Sequence, residues 1–331
     1  MNGTVFLPPR STFLVVLESG IAVMFMFLAI AGNLTVYWAI YRNKLLRTVP
    51  NFLLLNLAAA DILNAAASFP LLIFVLVSGV WGFHGSVCQL QAFQTYLSYS
   101  CSLLTLAVTS VTRYYATVHP VKHRGMFKVK TICVLISAVW VASFAFAGTP
   151  LVGWGRYHFE PFYALCIHDH NSSTSYSMFL FVFLIVNSTV IVTCYSKIFK
   201  AMKTRNRRVH SLFAQGSNSR QLEIINAQEA ILTNTIFIVI CLFAICYVPT
   251  ILLGFFMFTP LHVPRFARML STFSVGLASV VNPIVYWVRS KAFRQALIGL
   301  FRKSNTLRID VSENAGSSNT AERTLVSSRN I

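Results

Sequence analysis

The stretch STFSVGLASVVNPIVYWVRSKAFR, residues 271–294, is apolar over most of its length, but Asn282 and Pro283 interrupt it. A proline inside a helix removes one backbone N–H and leaves a carbonyl without its helical partner. In a membrane, a nearby amide such as Asn282 can hydrogen-bond the freed backbone groups. The pair therefore predicts a kink next to a buried polar site.

The composition of the chain is that of a membrane protein. Of its 331 residues, 56% are hydrophobic and 11% are charged, whereas soluble chains average about 45–50% apolar and about 25% charged residues. Seven apolar runs reach the roughly 20 residues that a helix needs to cross a hydrocarbon core. We therefore predict an all-α membrane protein with a bundle of seven transmembrane helices, near 14–41, 51–79, 86–118, 130–151, 175–200, 229–257 and 264–288.

Composition also divides the chain into three parts. Residues 1–13 form a short N-terminal segment, residues 14–302 the transmembrane domain, and residues 303–331 a polar tail that is predicted to be disordered. No pattern of a cleavable signal peptide precedes the first span, so that span is expected to act as the membrane anchor.

The basic residues predict the orientation of the chain. The formal net charge is +18, and Lys and Arg cluster after the first, third, fifth and seventh spans. The positive-inside rule makes these segments cytoplasmic, so we expect a plasma-membrane protein with an extracellular N-terminus and a cytoplasmic C-terminus. The membrane topology thereby explains the positive net charge of the chain, and no nucleic-acid partner is predicted.

Two further features of the sequence agree with this orientation. The glycosylation sequons at Asn2 and Asn171 both fall on the predicted outer side. Of the seven cysteines, Cys88 and Cys166 are the two that are predicted to be extracellular. In an oxidising compartment they can form a disulfide that ties the third span to the loop after the fourth.

Several polar residues fall at a similar depth in the predicted spans, where each polar group needs a partner. They can form one cluster that holds water or a sodium ion around the Asp61 carboxylate, with the members Asn33, Asp61, Ser102, Ser279 and Asn282. Alternatively, Asp61 is a protonated acid that hydrogen-bonds a neighbouring helix. Pro249 and Pro283 predict kinks in the sixth and seventh spans, and kinked helices over a polar cluster indicate a two-state switch.

These residues, in this order, resemble the motifs of rhodopsin-like G-protein-coupled receptors. The resemblance covers residues from about 30 to 300 and rests on Gly32-Asn33, LNLAAAD ending at Asp61, Cys88 with Cys166, Arg113-Tyr114, Trp140, Phe243–Pro249 and NPIVY at 282–286. Each motif alone is weak, but the ordered set is specific. It implies a seven-helix receptor with a short amphipathic eighth helix around Phe293, Arg294 and Leu297.

A closer resemblance is to the opsins within that family. The segments 46–61 and 153–169 are similar to opsin segments, and the second contains Glu160, whose opsin counterpart can act as counterion to the retinal Schiff base. Opsins hold retinal on a lysine seven residues before the NP proline, which is Gly276 here. All nine lysines lie on the predicted cytoplasmic side. An imine needs an amine, so covalent retinal is excluded. Gly276 either leaves room in the pocket or eases helix packing.

The resemblance also implies an activation switch at the cytoplasmic side. Thr112 stands where relatives carry an acid, so we expect Glu229 to hold Arg113 in the resting state, and Glu229→Ala to raise basal signalling. On spacing alone, Arg113 can instead be an interface residue that extends toward the membrane surface. The complete set of switch residues is Arg113, Tyr114, Tyr195, Glu229, Tyr247, Pro249, Asn282, Pro283 and Tyr286.

The family positions predict both a ligand pocket and cytoplasmic partners. The pocket is expected in the outer half of the bundle, lined by Gln91, Thr95, Tyr96, Tyr99, Glu160, Tyr247, Thr250 and Gly276. Thr95 occupies the place of the aspartate of amine receptors, so a small apolar or weakly polar ligand is expected. By resemblance, the cytoplasmic face receives a heterotrimeric G protein, and the tail, rich in Ser and Thr, is a target for a receptor kinase and arrestin.

Three alternatives to a ligand-activated receptor stay open. Two belong to the receptor class: an opsin-like photoreceptor with non-covalent retinal, and a constitutively active receptor. The third is a membrane transporter, which also buries polar groups at kinks, although the seven spans show no internal repeat. The spans contain no metal-ligand cluster, nucleophile elbow or phosphate-binding loop, so an enzyme is not expected.

Overall fold

A computed structural model describes residues 5–170, 172–214, 220–256, 263–290, 293–296 and 298. Eight α-helices and four short strands lie in this part of the chain. The helices are α1 Thr12–Arg42, α2 Val49–Ser78, α3 Gly85–Val118, α4 Pro120–Met126, α5 Val129–Gly148, α6 Thr174–Ala214, α7 Arg220–Phe256 and α8 Arg265–Arg289. The strands are β1 Val5–Phe6, β2 Val80–Trp81, β3 Tyr157–Glu160 and β4 Leu165–His168.

All helices except α4 form the predicted seven-helix bundle. Within the described ranges, six helices are long and apolar enough to cross a membrane, namely α1, α2, α5, α6, α7 and α8. The 34-residue α3 is also long enough, but its Ser, Thr, Gln and Tyr residues make it less apolar. Its position explains this composition, because α3 packs against α2, α5 and α6 and presents little surface to lipid.

Two helices are longer than the apolar runs that predicted them. α6 continues to Ala214, past the predicted end at residue 200, and α7 begins at Arg220 rather than at residue 229. The added segments contain Lys, Arg, Gln and Ala, which are good helix formers and continue the backbone hydrogen bonds outside the bilayer. An apolar run therefore marks the membrane part of a helix rather than its full length.

α1 and α8 approach each other closely at a glycine. A Cβ atom on Gly32 would lie 2.8 Å from Cγ of Pro283, which is shorter than van der Waals contact. The proline that kinks α8 thus packs directly on α1, and a residue without a side chain fits opposite it. Asn33 follows in the sequence, and its side chain is completely buried.

The strands cover one end of the bundle, which we call the hairpin end. β1 pairs with β2, and β3 pairs with β4, both in antiparallel fashion. The predicted disulfide between Cys88 and Cys166 is confirmed, and it joins β4 to the start of α3. The ring of Trp81 stacks on Phe159 with 4.9 Å between the ring centroids, so β2 also packs on the β3–β4 hairpin.

His168 in β4 is completely buried between the hairpin and α6. Its Nε2 atom lies 2.9 Å from the hydroxyl of Ser177, and its ring meets the ring of Tyr176 edge to face. Burial, followed by the neighbouring imidazole of His170, lowers the pKa of His168 from 6.5 to about 4. The imidazole is therefore neutral at pH 7, and its surroundings fit the neutral form.

The short helix α4 lies at the opposite end of the bundle, which we call the α4 end. The ring of Phe127, just after α4, packs on Tyr115 of α3 and on His123, with centroid distances of 5.6 and 5.3 Å. The hydroxyl of Tyr114 lies 3.2 Å from Nε2 of His119, at the junction of α3 and α4. These contacts fix α4 beneath the end of α3.

A short helical segment follows α8 and begins at the predicted position of the eighth helix. Residues 293–296 are helical, and the buried ring of Phe293 lies 6.1 Å from that of Tyr286. Arg294 begins to repeat the helical pattern by donating its N–H to the carbonyl of Ser290. Leu297 lies outside the described residues.

We expect Gly32→Val to destabilise the bundle, because the added side chain overlaps Pro283. Overpacking of this kind costs about 1–3 kcal/mol. Gly20→Val in the same helix is the matched control, since a Cβ atom there meets nothing within 4 Å. The thermal unfolding midpoint in detergent should fall for Gly32→Val and stay unchanged for Gly20→Val. Equal midpoints for the two variants would show that α1 and α8 are not in close contact.

We also expect acid to weaken the packing around His168. The pKa of His168 is lowered in the folded state to about 4, so between pH 6.5 and 4 the unfolded chain binds a proton that the folded chain does not. Stability is full above pH 6.5 and falls by about 2 kcal/mol at pH 5. His168→Gln should reduce the loss of thermal stability between pH 7 and pH 5, and an unchanged loss would contradict this assignment. Some pH dependence should persist, since burial also lowers the pKa of His170.

Candidate functional site

Polar residues of α1, α2 and α8 meet around one buried carboxylate. We call this set the polar junction, and its members are Asn33, Asp61, Ser279 and Asn282. The Ser279 hydroxyl donates to one oxygen of Asp61 and the Asn282 amide to the other, both at 2.8 Å. Each of the four residues is at most 5% exposed. The carboxylate thus joins α2 to α8 in the interior of the bundle.

The backbone group that Pro283 frees is satisfied differently from the sequence-based prediction. Pro283 has no N–H for the carbonyl of Ser279, four residues earlier. Asn33 of α1 donates its amide to that carbonyl at 3.0 Å, while the Asn282 amide is directed to Asp61. The prediction that Asn282 compensates for the proline is therefore wrong. A residue of α1 takes that role, since Gly32 lets α1 approach the kink.

The polar junction contains more acceptor atoms than donors. The amide oxygens of Asn33 and Asn282 are buried and have no hydrogen-bond partner in the described part of the chain. Ser102, the fifth predicted member, is buried on α3, but the hydrogen bonds of the Asp61 carboxylate in the described chain come from Ser279 and Asn282. Uncompensated oxygens beside a carboxylate suit a water molecule or a hard cation such as Na⁺. The donor set therefore fits a sodium ion.

A second buried network connects α2, α3 and α5. The indole N–H of Trp140 donates to the Asn56 side-chain oxygen at 2.7 Å, and the Asn56 amide donates to the Thr105 hydroxyl at 2.7 Å. The same amide lies 3.7 Å from the sulfur of Cys101. Because all partners are paired, this network fixes the relative positions of the three helices.

Arg113 is buried at the inner part of α3, near the α4 end, and is 8% exposed. Thr112 donates its hydroxyl to the carbonyl of Thr109 in the same helix, at 2.8 Å, and does not replace the family acid as a partner. Tyr195 of α6 and His123 of α4 lie within electrostatic reach of Arg113. The side chain of Glu229, its predicted partner, lies outside the described part of the chain.

Two predicted switch tyrosines, Tyr195 and Tyr286, share an unusual environment. Both are buried, at 3% and 2% exposure, and neither hydroxyl has a hydrogen-bond partner among the described residues. A buried hydroxyl without a partner costs about 1–3 kcal/mol. Their arrangement is therefore unfavourable, and another conformation that pairs these hydroxyls would be stabilised.

The predicted pocket residues toward the hairpin end mostly contact each other. Tyr247 of α7 packs between Phe243 of the same helix and Tyr99 of α3, with distances of 4.4 and 4.8 Å between ring centroids. Above this stack, and past Pro249, the hydroxyl of Thr250 lies 2.7 Å from that of Ser271, which ties α7 to α8. In this conformation, side chains fill the centre of the predicted pocket.

The pocket residues of α3 are engaged by the β3–β4 hairpin. The Gln91 side-chain oxygen accepts the N–H of Cys166 at 2.9 Å, and the Tyr96 hydroxyl accepts the N–H of His168 at 3.2 Å. The Gln91 amide in turn donates to the Thr95 hydroxyl at 3.1 Å. The hairpin is therefore held down on α3 by these contacts as well as by the disulfide.

Glu160, predicted as a pocket residue, forms an ion pair at the hairpin end. Its carboxylate lies 3.2 Å from the Arg268 guanidinium of α8 and 3.5 Å from Nε2 of His158. Burial alone would raise the pKa of Glu160, but the hydrogen bond to His158 and the charge of Arg268 lower it below its ordinary value. The carboxylate is thus ionised and serves to tie the hairpin to α8.

Gly276 lies beside a cavity of about 30 Å³ between α2, α3, β4 and α8. Thr95 also lines it, so two of the eight predicted pocket residues meet there. The space next to Gly276 is largely filled, since a Cβ atom would lie 2.8 Å from Cζ of Phe69. The open volume beside Gly276 is therefore small, and of the two explanations that the sequence left open, close helix packing accounts for the glycine. With no amine at this position and Phe69 against it, the residues do not fit a covalently bound retinal.

An ionic cluster at Glu18 is not among the predicted sites. Arg265 of α8 contacts both carboxylate oxygens of Glu18, at 2.6 and 2.7 Å, and Arg10 lies at 3.3 Å. Glu18 is 7% exposed and joins the N-terminal segment, α1 and α8. An acid inside the apolar run VVLESGI was the available signal, because such a residue needs a cationic partner.

Several predicted sites lie outside the described residues. These are the sequons at Asn2 and Asn171 and the phosphorylation tail at 303–331. The disulfide and the polar junction are the predicted sites that the structure describes most completely. The disulfide lies at the hairpin end, and the polar junction lies in the interior of the bundle.

The chain is similar to several known proteins of one family. The profile of the 7 transmembrane receptor (rhodopsin family) matches residues 32–286. Melanopsin-A of Danio rerio is 27% identical over 274 residues, which cover 80% of this chain and 46% of that protein. Melatonin receptor type 1A of Mus musculus is 27% identical over 293 residues, covering 87% and 80%. Adenosine receptor A2a of Homo sapiens is 27% identical over 314 residues, covering 90% and 74%.

The fold has a counterpart among solved structures. The crystal structure of squid rhodopsin superimposes with a TM-score of 0.81, covering 91% of this chain and 89% of that one at 21% identity. The chain spans about half the length of the melanopsins it matches, 46% of melanopsin-A of Danio rerio and 58% of melanopsin of Podarcis siculus. Because the family profile covers well over half of the chain, the protein belongs to the rhodopsin family of seven-transmembrane receptors, and it is a multi-pass membrane protein.

Proposed function

We propose that this protein is a plasma-membrane receptor that converts binding of a small, apolar or weakly polar ligand at its hairpin end into activation of a heterotrimeric G protein at its α4 end. The hairpin end is then extracellular, which agrees with the basic segments at the α4 end and with a disulfide at the hairpin end. Arrestin and a receptor kinase are further partners, acting on the tail.

The polar junction is the observation that carries this proposal. It joins α2 to α8 beside the kink at Pro283, and α1 holds the carbonyl that the kink frees. Its hydrogen bonds can be rearranged at low cost, because acceptors exceed donors and the amide oxygens of Asn33 and Asn282 have no partner in the described chain. A ligand that binds one arrangement better than the other shifts the population toward it.

The unpaired tyrosines support a second conformation at the α4 end. Tyr195 and Tyr286 lie on α6 and α8, and their buried hydroxyls lack partners in the described structure. Movement of α7 away from α3 would let both hydroxyls, directly or through water, reach the region of Arg113. The present conformation is then the resting one, and the cleft opened by α7 receives the G protein.

The contacts in the hairpin half support a compact ligand. The only carboxylate among the predicted pocket residues, Glu160, is paired with Arg268, so a cationic amine would find no free counter-charge there. Tyr99, Tyr247 and Thr250 contribute aromatic rings and a hydroxyl group to the same half of the bundle. Non-covalent retinal is the alternative ligand, and it would require displacement of Phe69 and of the Tyr99–Tyr247 stack.

Nucleotide exchange is the experiment that tests the proposed function. Purified receptor in nanodiscs is mixed with G proteins of each class, and apyrase removes released GDP so that even a small active population accumulates as complex. We expect at least one class to form a complex, and Arg113→Ala to abolish it. Arg156→Ala, at an exposed ion pair of the hairpin end, should have no effect.

The proposal fails if no G-protein class forms a complex above empty nanodiscs, or if Arg113→Ala and Arg156→Ala behave alike. Repeating the assay with retinal, in darkness and after a flash, tests the photoreceptor alternative. A light-dependent increase in the wild type would favour that alternative over a chemical ligand.

We further propose that a sodium ion binds the polar junction and stabilises the resting conformation. Such an ion, when bound, would be held by oxygens of Asp61, Asn33, Asn282 and Ser279. At a concentration 100-fold above the dissociation constant, a bound ion adds about 2.7 kcal/mol of stability. The unfolding midpoint should therefore rise more with NaCl than with choline chloride at equal ionic strength.

Two acid-to-amide variants make this prediction specific. Asp61→Asn should remove the difference between the two salts, because it deletes the charge that attracts the ion. Glu18→Gln is the matched control, since Glu18 is the other buried carboxylate of the transmembrane helices in the described chain, and its difference between salts should persist. A sodium effect that survives Asp61→Asn would contradict the assignment.

A further inference from the structure

The ring of Phe69 occupies the space beside Gly276. A Cβ atom on Gly276 would lie 2.8 Å from Cζ of Phe69, 3.5 Å from its Cε1, and 3.4 Å from Cδ2 of Phe25. Phe69 is 4% exposed, so its ring lies inside the bundle. The ring edge therefore stands where any larger residue at position 276, or a ligand bound against it, would have to lie.

The cavity that remains next to the ring is small and has a polar side. Its volume of about 30 Å³ is room for about two water molecules. The polar residues that line it are Asn64, Ser68, Thr95 and Thr272. Ser68 and Thr95 are 2.9 Å apart and satisfy each other, whereas the side-chain oxygen of Asn64 is buried and has no partner in the described chain. The polar side thus offers an acceptor for a hydrogen-bond donor.

The other side of the cavity is apolar, and a proline next to Phe69 removes one backbone hydrogen bond of α2. Leu72, Leu165 and Val275 complete the lining. Pro70, directly after Phe69, lies inside α2 and cannot donate to the carbonyl four residues earlier. Helices bend at such positions, so a change in the direction of the Phe69 ring needs less backbone rearrangement here than in an unbroken helix.

We propose that Phe69 is the gate and size filter of the ligand pocket. The ligand class is a molecule with an apolar body of about one ring, which takes the space of the Phe69 side chain, and one hydrogen-bond donor, which binds the Asn64 oxygen. This inference rests on the proposed receptor function, since it names the ligand class of that pocket. A larger ligand enters only if the ring turns away from Gly276.

Removal of the ring provides a test that does not require signalling. Phe69→Ala joins the volume of the ring to the existing cavity, and an apolar protein cavity of about 150 Å³ is large enough for benzene. Phenol is the probe with a ring and a donor, and toluene is the matched probe without the donor. The readout is the shift of the thermal unfolding midpoint of purified receptor at saturating probe.

Phenol should raise the midpoint of Phe69→Ala by several degrees and toluene by less, while the wild type, in which the probe must first displace the Phe69 ring, should gain less from phenol than Phe69→Ala does. Phe93→Ala is the control, because Phe93 packs on the exposed Phe144 rather than at the cavity. It should behave like the wild type. The proposal is overturned if folded Phe69→Ala gains no stability from phenol, or if Phe93→Ala gains as much.

A second measurement applies even if Phe69→Ala fails to fold. Gly276→Ala should lower the midpoint in the wild type, because its Cβ atom overlaps Phe69. In a Phe69→Leu background, Gly276→Ala should lower the unfolding midpoint by less. An equal decrease in both backgrounds would overturn the proposed contact. Binding and signalling are separate readouts. If the Phe69→Ala variant binds phenol but the receptor activates no G protein, the proposed function is disproved and the proposed gate is not.

Discussion

A carboxylate buried in a membrane bundle must be compensated, and in this protein the helices around Asp61 are arranged to do so. Ser279 and Asn282 donate to its two oxygens, which places α8 against α2. Asn33 then satisfies the carbonyl freed by Pro283, which requires α1 to approach at Gly32. One ionisable group thereby determines the mutual positions of three helices. The same group lets the helices change between two arrangements, because hydrogen bonds rather than packed apolar side chains hold it in place.

The two ends of the bundle differ in how firmly they are fixed. At the hairpin end, a disulfide and the ion pairs of Glu160 and Glu18 tie the strands and the N-terminal segment to α3, α1 and α8. At the α4 end, buried tyrosine hydroxyls have no partner in the described structure. This difference agrees with the proposed function, in which a small change at the pocket leads to a larger movement at the α4 end.

Local sequence predicted the elements of this fold, but it did not predict contacts between distant residues. The apolar runs gave all seven crossings, and the depth of Asp61 and Asn282 in their runs predicted that they meet. The role of Asn33 at the Ser279 carbonyl depends on how close α1 comes to α8, which no local pattern encodes. Glu18 was missed because its partner Arg265 is 247 residues away. The sequence left open whether Gly276 makes room in the pocket or eases helix packing, and the contact with Phe69 of another helix favours packing.

The central claim is that the polar junction controls the opening of the α4 end. Spin labels at residue 231 on α7 and residue 129 on α5, both exposed, would measure this opening in nanodiscs with the reactive cysteines replaced. With nucleotide-free G protein, we expect a second, longer distance in the wild type and a larger fraction of it in Asp61→Asn, which lacks the carboxylate charge that stabilises the resting conformation. Identical distance distributions in the two proteins, with or without the G protein, would contradict this claim.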